Sequence, residues 1–122
     1  MSKKILIVDD EKKIRDLVSF RLEFKGYEVV SAANGTEALE KVASESPALL
    51  VLDIMMPDLT GYEVCKRLKE DDKTKHIKVI LLTAKGRKQD EEEGYSVGAD
   101  SFMTKPFRAN ALLEKIEELL ND

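Results

Sequence analysis

Short aliphatic runs and longer amphipathic stretches take strict turns along this chain. Ile5 to Val8 is an unbroken aliphatic run that ends in Asp9-Asp10-Glu11. A run of that length without polar interruption predicts a strand buried on both faces. Lys12 to Lys25 follows with Ile14, Leu17, Val18 and Leu22 at helical spacing, and Gly26 stands where a helix C-terminus favours glycine. Tyr27 to Ala32 predicts a second strand. Asn34 is placed to cap a second helix carrying Ala38, Leu39 and Val42, which Pro47 ends. Leu49 to Leu52 predicts a third strand that runs into Asp53, and Pro57 and Gly61 prevent it from continuing. Val64, Cys65 and Leu68 mark a third helix, Ile77 to Thr83 a fourth strand and Ser101 to Thr104 a short fifth. Between the last two, Ala84 to Gly98 contains Gly86, Gly94, Gly98 and an acidic run, Asp90 to Glu93. With few apolar anchors it predicts a short, weakly held helix. Leu112, Leu113, Ile116, Leu119 and Leu120 mark a last helix.

Five strand–helix repeats predict an α/β, doubly wound fold: a parallel sheet with helices on both faces. The 122 residues suffice for one domain with one core, and no linker or internal copy divides residues 1–122. A net charge of −4 without a basic cluster argues against nucleic-acid binding by this chain. The lone cysteine, Cys65, excludes an internal disulfide and a cysteine-based zinc site. No stretch has the apolar length of a membrane span, and the N-terminus is too short and acidic for a signal peptide, so a cytoplasmic location is expected.

The residues that end the strands change the picture. The first strand ends in Asp9-Asp10, the third in Asp53, the fourth in Thr83 and the fifth in Lys105. In a parallel sheet these ends share one edge, where open α/β sheets carry their ligands. Each residue alone is uninformative: an Asp after a strand is commonly a turn former or a helix cap. Together, three carboxylates facing one volume need positive compensation. Oxygen-only ligands favour Mg²⁺ over zinc, and Lys105 adds an ammonium. Carboxylates, cation and the Thr83 hydroxyl suit a phosphoryl group, with one carboxylate as nucleophile.

The motifs Ile5-Leu6-Ile7-Val8-Asp9-Asp10, Leu52-Asp53-Ile54-Met55-Met56-Pro57 with Gly61 beyond, Leu82-Thr83-Ala84, and Gly98-Ala99-Asp100 leading to Lys105-Pro106-Phe107 are specific in order and spacing. With them the chain resembles, along essentially its whole length, the receiver domain of two-component response regulators. The resemblance implies a (βα)5 sandwich with strand order 2-1-3-4-5. It implies Asp53 as phosphoacceptor and Mg²⁺ bound by Asp10, Asp53 and the Met55 carbonyl, with Asp9 acting through water. Thr83 would bond a phosphoryl oxygen and Lys105 would pair with the phosphate. Pro106 would follow a cis peptide bond.

The implied partner is a histidine kinase or phosphotransfer protein, with slow self-dephosphorylation. The implied output is a changed face of the fourth helix, fifth strand and last helix, driven by Thr83 and Phe102. That face would meet an effector protein or an output domain outside this chain, in a monomer or a dimer formed on phosphorylation. Phe102 stands where tyrosine is frequent, and Arg108 where a capping Ser or Asp is frequent. Met55 and Lys85, two beyond Asp53 and Thr83, flank the route of an attacking water. Leu17, Phe20 and Phe24 form a second stripe on the first helix, which with Ile14 reads either as a wide core face or as a kinase-docking patch.

Two other classes fit less well. A stand-alone aspartyl-phosphate phosphatase or phosphotransferase usually needs a carboxylate acid/base close to its nucleophile, and Ile54 and Met55 follow Asp53. A nucleotide-binding domain needs a glycine-rich loop where Asp9-Asp10-Glu11 stands.

Overall fold

The computed structural model describes residues 3–84 and 88–121. The elements are β1 (Lys4–Val8), α1 (Lys12–Phe24), β2 (Glu28–Ala32), α2 (Gly35–Glu45), β3 (Leu49–Asp53), α3 (Gly61–Glu70), β4 (Lys78–Ala84), α4 (Lys88–Ser96), β5 (Ser101–Lys105) and α5 (Ala109–Leu120). The strands form one parallel sheet in the order β2-β1-β3-β4-β5. Two strands begin one residue later than the apolar pattern suggests. The Tyr27 amide is taken by the Leu22 carbonyl at the end of α1, and that of Ile77 by the Thr74 carbonyl in a turn. Among the described residues no helix is long and apolar enough to cross a membrane.

Alternation along the strands divides the apolar side chains between two cores. Leu6, Val8, Leu50, Leu52, Val79 and Leu81 face α2 and α3, meeting Ala38, Val42, Val64, Cys65 and Leu68. Ile5, Ile7, Leu49, Val51, Ile80 and Leu82 face α1 and α5, meeting Val18, Leu22, Leu112, Leu113 and Ile116. Because β1, β3 and β4 are covered on both faces, they read as continuous apolar runs. Cys65 belongs to the first core, and burial pushes its thiol up to about 11.

The helix ends follow the sequence in part. The Asn34 side chain accepts from the Glu37 amide at 2.8 Å. Gly26 takes φ 96° after α1, a conformation that side-chain-bearing residues rarely adopt. Arg108 precedes α5 and makes no side-chain cap. Two long-range features were not legible in the sequence. Asp58, in the loop after β3, accepts from the Gly35 amide (2.9 Å), the Thr36 amide (2.8 Å) and the Thr36 hydroxyl. It thereby ties that loop to the start of α2. Asp100 accepts from the Val79 amide at 2.8 Å and pairs with Lys69 at 2.9 Å, pinning the α4–β5 turn to β4.

The Thr36 hydroxyl and amide beside Asp58 hold its carboxyl well below the usual carboxylate range. A depressed acid contributes stability that is present above its unfolded pKa and lost as pH falls through its folded one. Asp58→Ala is therefore expected to lower the melting temperature at neutral pH and to leave a shallower loss of stability in acid. Thermal unfolding between pH 7 and pH 2 checks this. Equal acid profiles for the two proteins would contradict it.

The loop after β3 also folds back on the strand end. The Gly61 amide donates to the Ile54 carbonyl at 2.9 Å. A Cβ on Gly61 would lie 2.6 Å from the Asp53 carbonyl oxygen and 2.9 Å from Ile54 Cα. Both neighbours are backbone, so neither yields cheaply. Gly61→Ala is expected to destabilise the fold by about 2 kcal/mol, within the range for overpacked sites, read from denaturant midpoints. Pro57 lies exposed in the same loop.

Candidate functional site

The register brings the strand ends to one level. Val8 pairs with Leu52, and Asp53 with Leu82, so Asp9 and Asp53 emerge side by side. Asp9 is fully buried and Asp53 nearly so, whereas Asp10 is exposed. One carboxylate oxygen from each of the three lies within 4.8 Å of the others.

Lys105 enters from the end of β5, next to the cis peptide bond that it forms with Pro106. Its Nζ lies 2.8 Å from Asp9 Oδ2, 3.2 Å from Asp53 Oδ2 and 3.8 Å from Glu11 Oε1. One ammonium is thus divided among three carboxylates. Burial alone would lower its pKa, but the close ionic contact with Asp9 and the charges of Asp53 and Asp9 raise it overall. Asp53 is shifted upward, first by burial and then by the charge of Asp9. Lys105 and the Met55 amide, which donates to Asp53 Oδ1 at 3.3 Å, only partly offset this.

Asp9 Oδ2 is in ionic contact with Lys105 but has no aligned hydrogen-bond donor among the described residues. A buried oxygen in that position, beside two further carboxylates, fits a hard divalent cation: the donor set is all oxygen, and the local charge is under-compensated.

Two hydrogen bonds not given by the sequence pattern help to shape the turn. Arg15 Nη1 donates to the Asp9 carbonyl at 2.8 Å, and the Glu11 amide donates to Asp9 Oδ1 at 2.9 Å. The first link crosses from α1 back to the strand end, and helical spacing alone gives no sign of it.

Thr83 is buried, and its hydroxyl donates to the Met103 carbonyl at 3.4 Å, across to β5. The Met55 side chain is exposed. Phe102 packs with the α2/α3 core and lies edge-on to Tyr95 of α4. Lys85 lies outside the described residues.

The first helix resolves the choice between a core face and an exposed stripe. Val18 and Leu22 carry the core contact, while Leu17, Phe20 and Phe24 are 59%, 66% and 82% exposed. Leu17 is therefore a surface residue, not a core one. Ile14, Leu17, Val18, Pro106 and Phe107 line a mainly apolar groove with Lys105 at its edge, and Phe20 and Phe24 extend the same helix face. The groove thus borders the carboxylate cluster.

A five-stranded doubly wound sheet with clustered carboxylates and a lysine at its carboxyl edge defines a class of acidic-pocket α/β proteins. Comparison narrows the class: residues 5–117 match the response regulator receiver domain, and the chain belongs to that family. It is 43% identical over 120 residues to the alkaline phosphatase synthesis transcriptional regulatory protein PhoP of Bacillus subtilis, covering 98% of this chain and 49% of that protein. It is 42% identical over 117 residues to the DNA-binding dual master transcriptional regulator RpaA of Synechocystis, covering 96% of this chain and 48% of that protein. The chain therefore spans about half the length of these relatives. Among solved structures, Vibrio cholerae chemotaxis protein CheY4 superposes with a TM-score of 0.92 at 35% identity, covering 98% of this chain and all of that one. The Thermotoga maritima response regulator TrrA, in complex with Mg²⁺ and BeF, gives 0.85 at 41% identity, covering 97% and 99%.

Proposed function

We propose that this chain is a phosphorylation-controlled switch whose phosphoacceptor is Asp53. The observation that carries this reading is the buried pair Asp9 and Asp53, sharing Lys105 and lying within 4.8 Å of Asp10. In the transfer step an Asp53 carboxylate oxygen attacks phosphorus. The P–N bond of a phosphohistidine breaks, and the imidazole nitrogen leaves with the electron pair. Lys105 neutralises charge on the transferring oxygens, and the Thr83 hydroxyl turns from Met103 to donate to one of them. In the return step water attacks phosphorus, the P–O bond to Asp53 breaks and inorganic phosphate leaves.

Asp10, Asp53 and the Met55 carbonyl would hold Mg²⁺, with Asp9 acting through water. The ion would supply charge neutralisation at the phosphoryl oxygens. The structure of TrrA in complex with Mg²⁺ and BeF supports the choice of ion.

The donor is a histidine kinase or phosphotransfer protein, seated on Ile14, Leu17, Phe20 and Phe24. The apolar groove beside Lys105 and the two exposed phenylalanines support that surface. The output passes through Thr83, Phe102 and the face formed by α4, β5 and α5 to an effector protein or output domain. The naming of PhoP and RpaA as transcriptional regulators supports an output of this kind.

Borohydride reduction after incubation with acetyl phosphate and Mg²⁺ tests the acceptor, because it converts an aspartyl phosphate to homoserine. Homoserine at position 53 is expected; homoserine elsewhere, or none, would overturn the assignment. Phe20→Ala combined with Phe24→Ala is expected to slow transfer from the cognate kinase about tenfold or more, as loss of interface anchors does. Uptake from acetyl phosphate should be unchanged. Equal kinase rates would remove the docking surface.

A further inference from the structure

Phe102 has no hydroxyl, so shape and contact alone decide where its ring rests. Its seat is on α4. Gly94 is buried there, and a Cβ at that position would collide with Cε1 of the Phe102 ring and lie 3.0 Å from Leu81 Cδ1. The next residue, Tyr95, meets the ring edge-on, with centroids 4.6 Å apart and planes at 75°. This is a favoured aromatic geometry. Tyr95 is otherwise 64% exposed, so the ring contact is a main restraint on its side chain.

The seat is also joined to the carboxylate cluster. The Thr83 hydroxyl donates to the carbonyl of Met103, the residue after Phe102, and β4 and β5 pair at Leu81–Phe102 and Thr83–Thr104. When the Thr83 hydroxyl leaves that carbonyl, the strand carrying Phe102 loses a restraint beside the ring.

We infer that Gly94 and Tyr95 are positioning residues that hold Phe102 in its present place and so set how readily the domain responds at Asp53. The inference rests on the phosphoacceptor reading above. A ligand moves a two-state element only by its differential affinity for the two states. With the present place of the ring taken as that of the ligand-free state, weakening the seat lowers what the ligand must supply.

The experiment uses wild type, Gly94→Ala, Tyr95→Leu and Tyr95→Phe. It reads the Phe102 ring and Leu81 methyl resonances, and titrates beryllofluoride in Mg²⁺. In ligand-free Gly94→Ala and Tyr95→Leu, both resonances are expected to move toward those of beryllofluoride-bound wild type. Their half-saturation concentrations should fall by about three- to tenfold, the size of a lost aromatic pair. Tyr95→Phe keeps the ring and should match wild type. Because Tyr95 is exposed, Tyr95→Leu remains informative even if Gly94→Ala does not fold. Wild type that binds while Tyr95→Leu matches it in resonance and half-saturation overturns the seat alone. Wild type that binds no beryllofluoride overturns the phosphoacceptor reading, and the seat's role falls with it.

Discussion

Asp53→Asn is expected to abolish phosphoryl uptake, by about a thousandfold or more, because it removes the attacking oxygen while keeping the side-chain shape. The same change is expected to make the metal-free protein more stable, because it removes one of two carboxylate charges buried side by side. The reason lies in the geometry. Asp53 and Asp9 are buried side by side and share the ammonium of Lys105. Burial, then the charge of Asp9, raises the Asp53 carboxyl above its ordinary value. A raised acid contributes stability that is present below its unfolded pKa and lost as pH rises through its folded one. The gain from Asp53→Asn should therefore be largest near neutrality and vanish in acid, as denaturant unfolding at pH 3 to 7 will show. Mg²⁺ should stabilise wild type and act much less on the variant. A variant less stable than wild type at pH 7 without metal would contradict this account of the site.

Lys105→Met should have the opposite effect on stability. The methionine keeps most of the stem but leaves Asp9 and Asp53 facing each other without their cation. Breaking a pair of this kind by removing one partner costs about 3 kcal/mol. Mg²⁺ should restore part of the loss, since it supplies charge to the same oxygens, and acid should restore part by protonating them. The ionic contact with Asp9 and the neighbouring carboxylate charges outweigh burial and raise the lysine pKa above 10.5. In wild type the contribution of Lys105 is then fully present through neutral pH and is lost only as pH rises through that higher value. Phosphoryl uptake from acetyl phosphate should fall about a hundredfold, as when one preorganised donor is lost from a reacting oxyanion. Unchanged stability in the absence of Mg²⁺ would mean that the ammonium does not hold the carboxylates.

Much of this arrangement was legible because the sheet is parallel and covered on both faces. Leu49 to Leu52 has no polar interruption, so the position of Asp53 at a strand end followed from the run itself. Asp9, Asp10 and Lys105 followed in the same way, because parallel strands put their carboxyl ends on one edge. What escaped were contacts that depend on how the elements are set against one another. Asp58 caps a helix that begins 23 residues earlier, and nothing around it distinguishes it from a turn former. Arg15 lies among charged residues on α1, and its bond to the Asp9 carbonyl depends on how that helix is set against the strand. Gly94 reads as a helix weakness until the ring of Phe102 is placed against it. The stripe of Leu17, Phe20 and Phe24 was undecided for a related reason. Helical spacing defines a face but not what covers it, and here the described residues leave all three exposed. The direction of the Thr83 hydroxyl was equally beyond the pattern, since strand alternation places a side chain without orienting its bond to Met103.

The central claim, that Asp53 accepts a phosphoryl group in a site needing Mg²⁺, is tested most directly by intact mass after incubation with acetyl phosphate. Wild type with Mg²⁺ is expected to gain one phosphoryl group. Asp53→Asn with Mg²⁺, and wild type with the metal chelated, are expected to gain none. Beryllofluoride binding, which needs no stable phosphate, guards against a product too short-lived to weigh. A phosphoryl group retained in Asp53→Asn, or wild type that gains none and binds no beryllofluoride, would contradict the account.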